Sequence, residues 1–225
     1  MSASMRKTQF IEGEIYHICN RGVDKRDVFL DQSDVGRFLI SIQEFNSFEP
    51  VGSIRDALRD KEHHHKKDKP LVEIIAYCIN SNHYHLLLSQ SYDRGIEKFM
   101  QRLGNGYTKY FNSKYQRSGV LFQGKFKSKH IDTNTYLLQV SAYINLNDRF
   151  SKKTDILNKS SWKEYSGEEN GICNKNIILD QYKTTADYIS FAKSSLKDII
   201  RRKSQKERGD DDNLGMFNRH PMSAE

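Results

Sequence analysis

The stretch LVEIIAYCINSNHYHLLLSQ, residues 71–90, limits the fold more than any other part of the chain. Two runs rich in strand formers, 71–79 and 83–90, flank Asn-Ser-Asn, whose side chains favour turns. Such a hairpin needs a larger sheet, and the flanking segments supply one. Residues 15–20, IYHICN, read as a strand. From Asp34 the apolar residues Val35, Phe38, Leu39, Ile42 and Phe45 recur at helical spacing. Asp31 or Ser33 serves as N-cap, and Pro50 lies beyond the end. From Gly95 a second helix carries Ile96, Phe99, Met100, Leu103, Tyr107, Tyr110 and Phe111 on its inner face, with Gly104 and Gly106 as weak points. Residues 119–131 read as a fourth strand, with Gly124 at a bulge or bend. Asp132 is placed to cap a third helix, TNTYLLQVSAYINLN.

The order strand, helix, strand, strand, helix, strand is the split unit of ferredoxin-like folds. The expected class is α+β: an antiparallel β-α-β-β-α-β sheet with helices on one face, plus a C-terminal helical extension. The first and third strands are then central. His83 and His85 fall near the start of a central strand, and alternation points both to one face, opposite Tyr84.

The 225 residues suffice for one good core with appendages. We expect a main domain over 10–165, a helical extension over 166–203 and a disordered tail over 204–225. Trp162, in SSWKEYSG, is expected to pack onto the main domain. Residues 49–70 are dense in both charges, and His63, His64 and His65 read as an exposed loop rather than a metal site. No apolar run approaches the roughly 18–20 residues of a membrane span. The first residues lack the apolar segment of a signal peptide. Cys19, Cys78 and Cys173 are odd in number and far apart, which suits reduced thiols and gives no cysteine-based zinc signature. A cytoplasmic protein with no membrane partner is expected. Lys and Arg exceed Asp and Glu, for a formal charge of +7, which favours a polyanionic partner such as nucleic acid.

Two imidazoles on one strand face can share a divalent ion but cannot complete its shell. Alone, they read better as half-exposed histidines at a strand end than as a metal site. Tyr143 and Asn147, four apart on the third helix, share a face. Asn147 offers an oxygen to a hard cation and Tyr143 a phenol as nucleophile. Their ordinary readings are a helix cap for the first and apolar packing for the second.

The segments NRGVDKRDVF, AYCINSNHYHLLL, GYTKYFNSKYQRSGVLFQGKFKS and YLLQVSAYINLN, in this order and spacing, resemble the single-tyrosine HUH transposases. The group they look like is the REP-associated tyrosine transposases, with a transposase IS200-like domain. The resemblance covers roughly residues 10–165. It implies that Tyr143 is the nucleophile and that His83, His85 and Asn147 hold Mg²⁺ or Mn²⁺. It further implies a metal-dependent transposase that nicks and rejoins single-stranded or hairpin DNA through a 5′-phosphotyrosine link. Asp148 stands where the family usually has Pro, Asn145 where His or Tyr is common, and Asn-Ser-Asn before His83 replaces the usual Met-Pro-Asn.

Candidate DNA-binding cations are Arg21, Lys25 and Arg26 after the first strand, and Lys125, Lys127 and Lys129, which alternate along the fourth. Tyr107, Tyr110 and Phe122 are candidates for base stacking. The plain alternatives are solubilising lysines and core aromatics. Among related transposases both monomers and dimers that exchange the tyrosine helix are expected, so monomer and homodimer both stand. The competing functions are a domesticated DNA- or RNA-binding protein on the same fold, and a metal-dependent phosphodiesterase that uses water.

Overall fold

The computed structural model describes residues 9–49, 52, 54, 70–150 and 157–206, with the side chains of 149–150 and 197–206 excepted. The histidines at 63–65 and residues 207–225 of the expected tail lie outside the described residues, whereas 204–206, expected in that tail, continue the last helix. Strand β1 (Ile15–Arg21) leads through a single 3₁₀ turn (Val23–Lys25) to helix α1 (Gln32–Glu44). Strands β2 (Val72–Asn80) and β3 (His83–Gln90) form the hairpin, and helix α2 (Gly95–Lys114) follows. Strand β4 (Lys127–Ile131), helix α3 (Asn134–Asn145) and a 3₁₀ turn (Asn147–Phe150) come next. Strand β5 (Lys159–Ser160) and helices α4 (Trp162–Ser166), α5 (Asn176–Leu179) and α6 (Thr185–Lys206) complete the described chain.

The sheet order is β4-β1-β3-β2-β5, and every pairing is antiparallel. This is the expected α+β split unit with β1 and β3 central, extended by β5 at the β2 edge. The two helices inside the unit, α1 and α2, lie on one face as expected. Their apolar stripes, including Phe38, Ile42, Phe99 and Leu103, bury against Tyr16, Ile18, Tyr84, Leu86 and Leu88. Helix α3 follows the unit and covers the other face together with α6. There Ile75, Ala76, Cys78 and Leu87 meet Val140, Tyr143, Ile144, Trp162 and Tyr188. A register shift between Ile74 and Ala76 explains why Ile75 and Ala76 both serve this second core.

Local chemistry accounts for the boundaries. The Asp31 side chain accepts from Asp34 N and caps α1. Thr133, not Asp132, caps α3 by accepting from Tyr136 N. Gly106 is no mere weak point in α2, because a Cβ there would press into the Phe45 ring. The fourth strand is shorter than its apolar pattern suggests. Residues 119–126 run as a loop with one bridge, Gly22 to Phe122, and bend at Gly124 with φ of 67°. Leu121 and Phe122 bury against the first core, held to the end of β1 by that single bridge rather than by a continuous strand. Trp162 packs into the second core as expected. Among the described residues, no helix is long and apolar enough to cross a membrane.

Candidate active site

Cross-strand register sets the site. Directly paired residues share a face, so His17, Cys19 and Arg21 of β1 lie on the face of His83, His85 and Leu87 of β3. Cys78 and Asn80 of β2 join them opposite His85 and His83, and Lys127 and Lys129 join from β4. Helix α3 lies over this face. The His85 ring centroid is 5.6 Å from that of Tyr143, edge to face, and 5.1 Å from that of His83. The structure therefore brings His83, His85, Tyr143 and Asn147 together at one end of the sheet.

Asn82 accepts from His83 Nδ1 at 2.6 Å, which leaves Nε2 as the acceptor nitrogen. That Nε2 and the Oδ1 of Asn147 both face the Asn80 amide nitrogen, at 3.2 and 2.9 Å. Lone pairs from an imidazole and an amide thus converge on one donor group. A divalent cation would be bound by the same atoms, so the residues present fit such an ion. Among the described residues no cluster of three or more His, Cys, Asp or Glu could hold a metal. The donor set here depends on an amide oxygen.

His17 was not among the expected site residues. It has no exposure, and its Nε2 lies 2.9 Å from His85 Nδ1 with the rings stacked. Burial, reinforced by Lys129, lowers its pKa to about 4 and keeps it neutral near pH 7. A neutral His17 can accept from His85 Nδ1, and His85 can then present its Nε2 lone pair to the site. The position within IYHICN carried the signal in its alternation with Cys19 and Arg21, but the partner became visible only through the register.

Tyr143 has no exposure either. Burial pushes its phenol above the usual value, while hydrogen bonding to Asn147 and the charge of Arg21 pull the other way. The two sequence departures near it tie α3 to the C-terminal elements. Asn145 donates to the Tyr188 hydroxyl at 2.7 Å and accepts from Ser161 Oγ. Asp148 Oδ2 accepts from Ser160 Oγ at 3.3 Å.

The expected DNA-binding cations divide. Arg21, Lys127 and Lys129 share the site face by register. Lys129 is half-buried with its ammonium 4.7 Å from the Tyr136 ring, and burial lowers its pKa. Lys25 and Arg26 are exposed in the loop that touches the β2–β3 turn, where Asn82 donates to Lys25 O. Arg26 is paired with Asp24 at 3.3 Å. Lys125 does not share the face of the other two lysines. It precedes β4 and lines a cleft of about 700 Å³ beside Met100, Gln101 and Phe122. The stacking candidates are core residues. Tyr107 is buried and donates to Val28 O, Tyr110 donates to Asp34, and Phe122 packs edge-on against Tyr84.

Residues 51–147 match the family model described as Transposase IS200 like. No curated protein matches the chain. Among solved structures, a REP-associated tyrosine transposase bound to a REP hairpin shares 13% identity, covering 73% of this chain and 86% of its own, with a TM-score of 0.46. A candidate transposase from Deinococcus radiodurans R1 shares 18% identity over 62% of this chain and 95% of its own, with a TM-score of 0.34. The resemblance carried by the sequence motifs is thereby borne out: the segment that holds the histidine pair, Tyr143 and Asn147 is similar to the IS200-like transposases.

Proposed function

We propose that this chain is a transposase that nicks and rejoins single-stranded DNA, preferably a hairpin, with Tyr143 as nucleophile. The observation that supports it most is the convergence of His83 Nε2 and Asn147 Oδ1 beside the His85–Tyr143 ring contact, inside the segment that matches the transposase family model. His83, His85 and Asn147 would hold Mg²⁺ or Mn²⁺, which supplies charge neutralisation and polarisation of a phosphate. The Tyr143 oxygen bonds to phosphorus, the bond to the 3′ oxygen breaks, and the phenolic proton passes to solvent as the new bond forms while the departing 3′ oxygen takes one up. The products are a 5′-phosphotyrosine and a free 3′-hydroxyl. The link keeps the bond energy, so a 3′-hydroxyl can reverse the reaction on the same or another strand without a nucleotide cofactor.

Arg21, Lys127 and Lys129 on the site face, with Lys25 and Arg26 at the mouth, are the groups proposed to hold the phosphate backbone. Lys125 would meet the strand on the far side of the β4 edge. The reading requires that DNA binding uncover Tyr143. Its full burial is the one observation that favours the water-using phosphodiesterase instead.

The test is incubation of labelled hairpin DNA with Mn²⁺ or Mg²⁺, followed by a denaturing gel. The wild type is expected to form a covalent adduct and Tyr143→Phe none. An undiminished adduct in Tyr143→Phe would reject the nucleophile. Cleavage with no adduct in the wild type selects the water mechanism, and binding without cleavage selects a domesticated protein. His83→Ala is expected to lose metal-dependent cleavage while retaining DNA binding.

A further inference from the structure

Asn80 has no role in the reading above. It is the last residue of β2, directly opposite His83 in register, and it is 6% exposed. Its amide nitrogen is 2.9 Å from Asn147 Oδ1, 3.2 Å from His83 Nε2 and 3.6 Å from the Cys78 sulfur. An NH₂ group has two hydrogens, so three acceptors surround a donor that can serve two. The first two acceptors are the atoms proposed to bind the cation. Asn80 therefore puts a donor into the space a shared cation would take, between two of the cation's own ligands.

The same side chain can also serve the loaded site. Its terminal torsion is broad and roughly two-fold, so half a turn exchanges nitrogen for oxygen with no movement of the backbone. The amide oxygen is then aimed where the nitrogen was, and hard divalent cations prefer oxygen. We propose that Asn80 is a further metal ligand, which bridges His83 and Asn147 through its NH₂ in the free protein and turns Oδ1 toward the cation when one binds. The proposal rests on the metal-dependent reading of this site. It assigns a role to a residue at which the chain departs from its family's usual Met. A purely structural Asn80, which only holds Asn147 in place and must be pushed aside by the ion, makes the opposite prediction for its variants.

Mn²⁺ binding to the DNA-free protein, followed by the loss of the free-ion EPR signal, separates the two. Wild type, His83→Ala, Asn80→Asp and Asn80→Leu are compared, with folding checked by circular dichroism and thermal melting. Asn80→Leu is expected to bind Mn²⁺ about ten-fold or more weakly. Asn80→Asp, which adds a charged oxygen donor, is expected to bind about ten-fold more tightly. It should also melt lower than wild type without metal, because its carboxylate opposes Asn147 Oδ1, and recover when Mn²⁺ is added. Should Asn80→Leu not fold, Asn80→Ser repeats the truncation with the same expectation. A folded truncation that binds as tightly as wild type, or an Asn80→Asp that binds no tighter, overturns the proposal alone. Wild type without saturable Mn²⁺ binding, or His83→Ala with unchanged affinity, overturns the metal reading and this proposal together.

Discussion

His17 shows how much the site depends on single protonation states. Its folded pKa, about 4, lies below the reference value of 6.5 because burial disfavours the imidazolium. Between these values the unfolded chain binds a proton that the folded chain does not. Stability is therefore expected to hold above pH 6.5 and to fall as pH drops toward 4, by up to about 3 kcal/mol from this group. Urea melts of metal-free protein across that window, for wild type and His17→Gln, read it directly. A wild-type pH slope that His17→Gln leaves unchanged would reject the assignment. At this scale the sequence was only half legible. Alternation put His83 and His85 on one face, and the four-residue spacing brought Asn147 to Tyr143, although Asn147 opens the 3₁₀ turn beyond α3 rather than lying on the helix. Neither rule could pair His17 with His85, sixty-eight residues away, or aim Asn80 between two candidate ligands, because those facts belong to the register between strands.

Between elements, a dense polar cluster joins the start of α1 to the end of α2. Asp34 has no exposure, and its carboxylate accepts from Lys114 at 2.8 Å, Tyr115 at 2.8 Å, Tyr110 at 3.0 Å and Leu30 N at 2.8 Å. Lys114 also reaches Asp31 at 2.7 Å, which holds the Asp31 carboxyl below its usual range. Removing the cation leaves a buried carboxylate with neutral donors only. Lys114→Met is expected to cost about 3 kcal/mol in a urea melt, and a loss within experimental error would show that the phenols suffice. Elements whose ends are marked by local chemistry were the legible ones. The β2–β3 turn, the Asp31 cap and the α2 stripe fall where the sequence puts them. The fourth strand was overextended because Leu121 and Phe122 bury as loop residues, and apolar alternation does not distinguish burial from pairing. The α3 cap shifted by one residue, from Asp132 to Thr133, because adjacent residues of two capping types leave the sequence unable to choose between them.

Seen whole, the sheet separates one core under α1 and α2 from a second core under α3 that also holds the candidate site. Helix α3 is buried between the sheet and α6, with Val140, Ala142, Tyr143 and Ile144, and Leu146 at its C-cap, all enclosed. That enclosure explains why its apolar residues do not keep to one stripe. Within this one chain His83, His85, Asn147 and Tyr143 come together, which leads us to propose a site built by a single polypeptide. On the proposed chemistry, mixing His83→Ala with Tyr143→Phe protein is expected to restore no adduct. Restoration would show that α3 can be exchanged between copies. A site with a single tyrosine over its ligands has a stoichiometric consequence. On the proposed chemistry, each chain would carry one severed 5′ end at a time, so excision of a segment with two ends would call on two chains, or on one chain that has resealed its first end before opening the second.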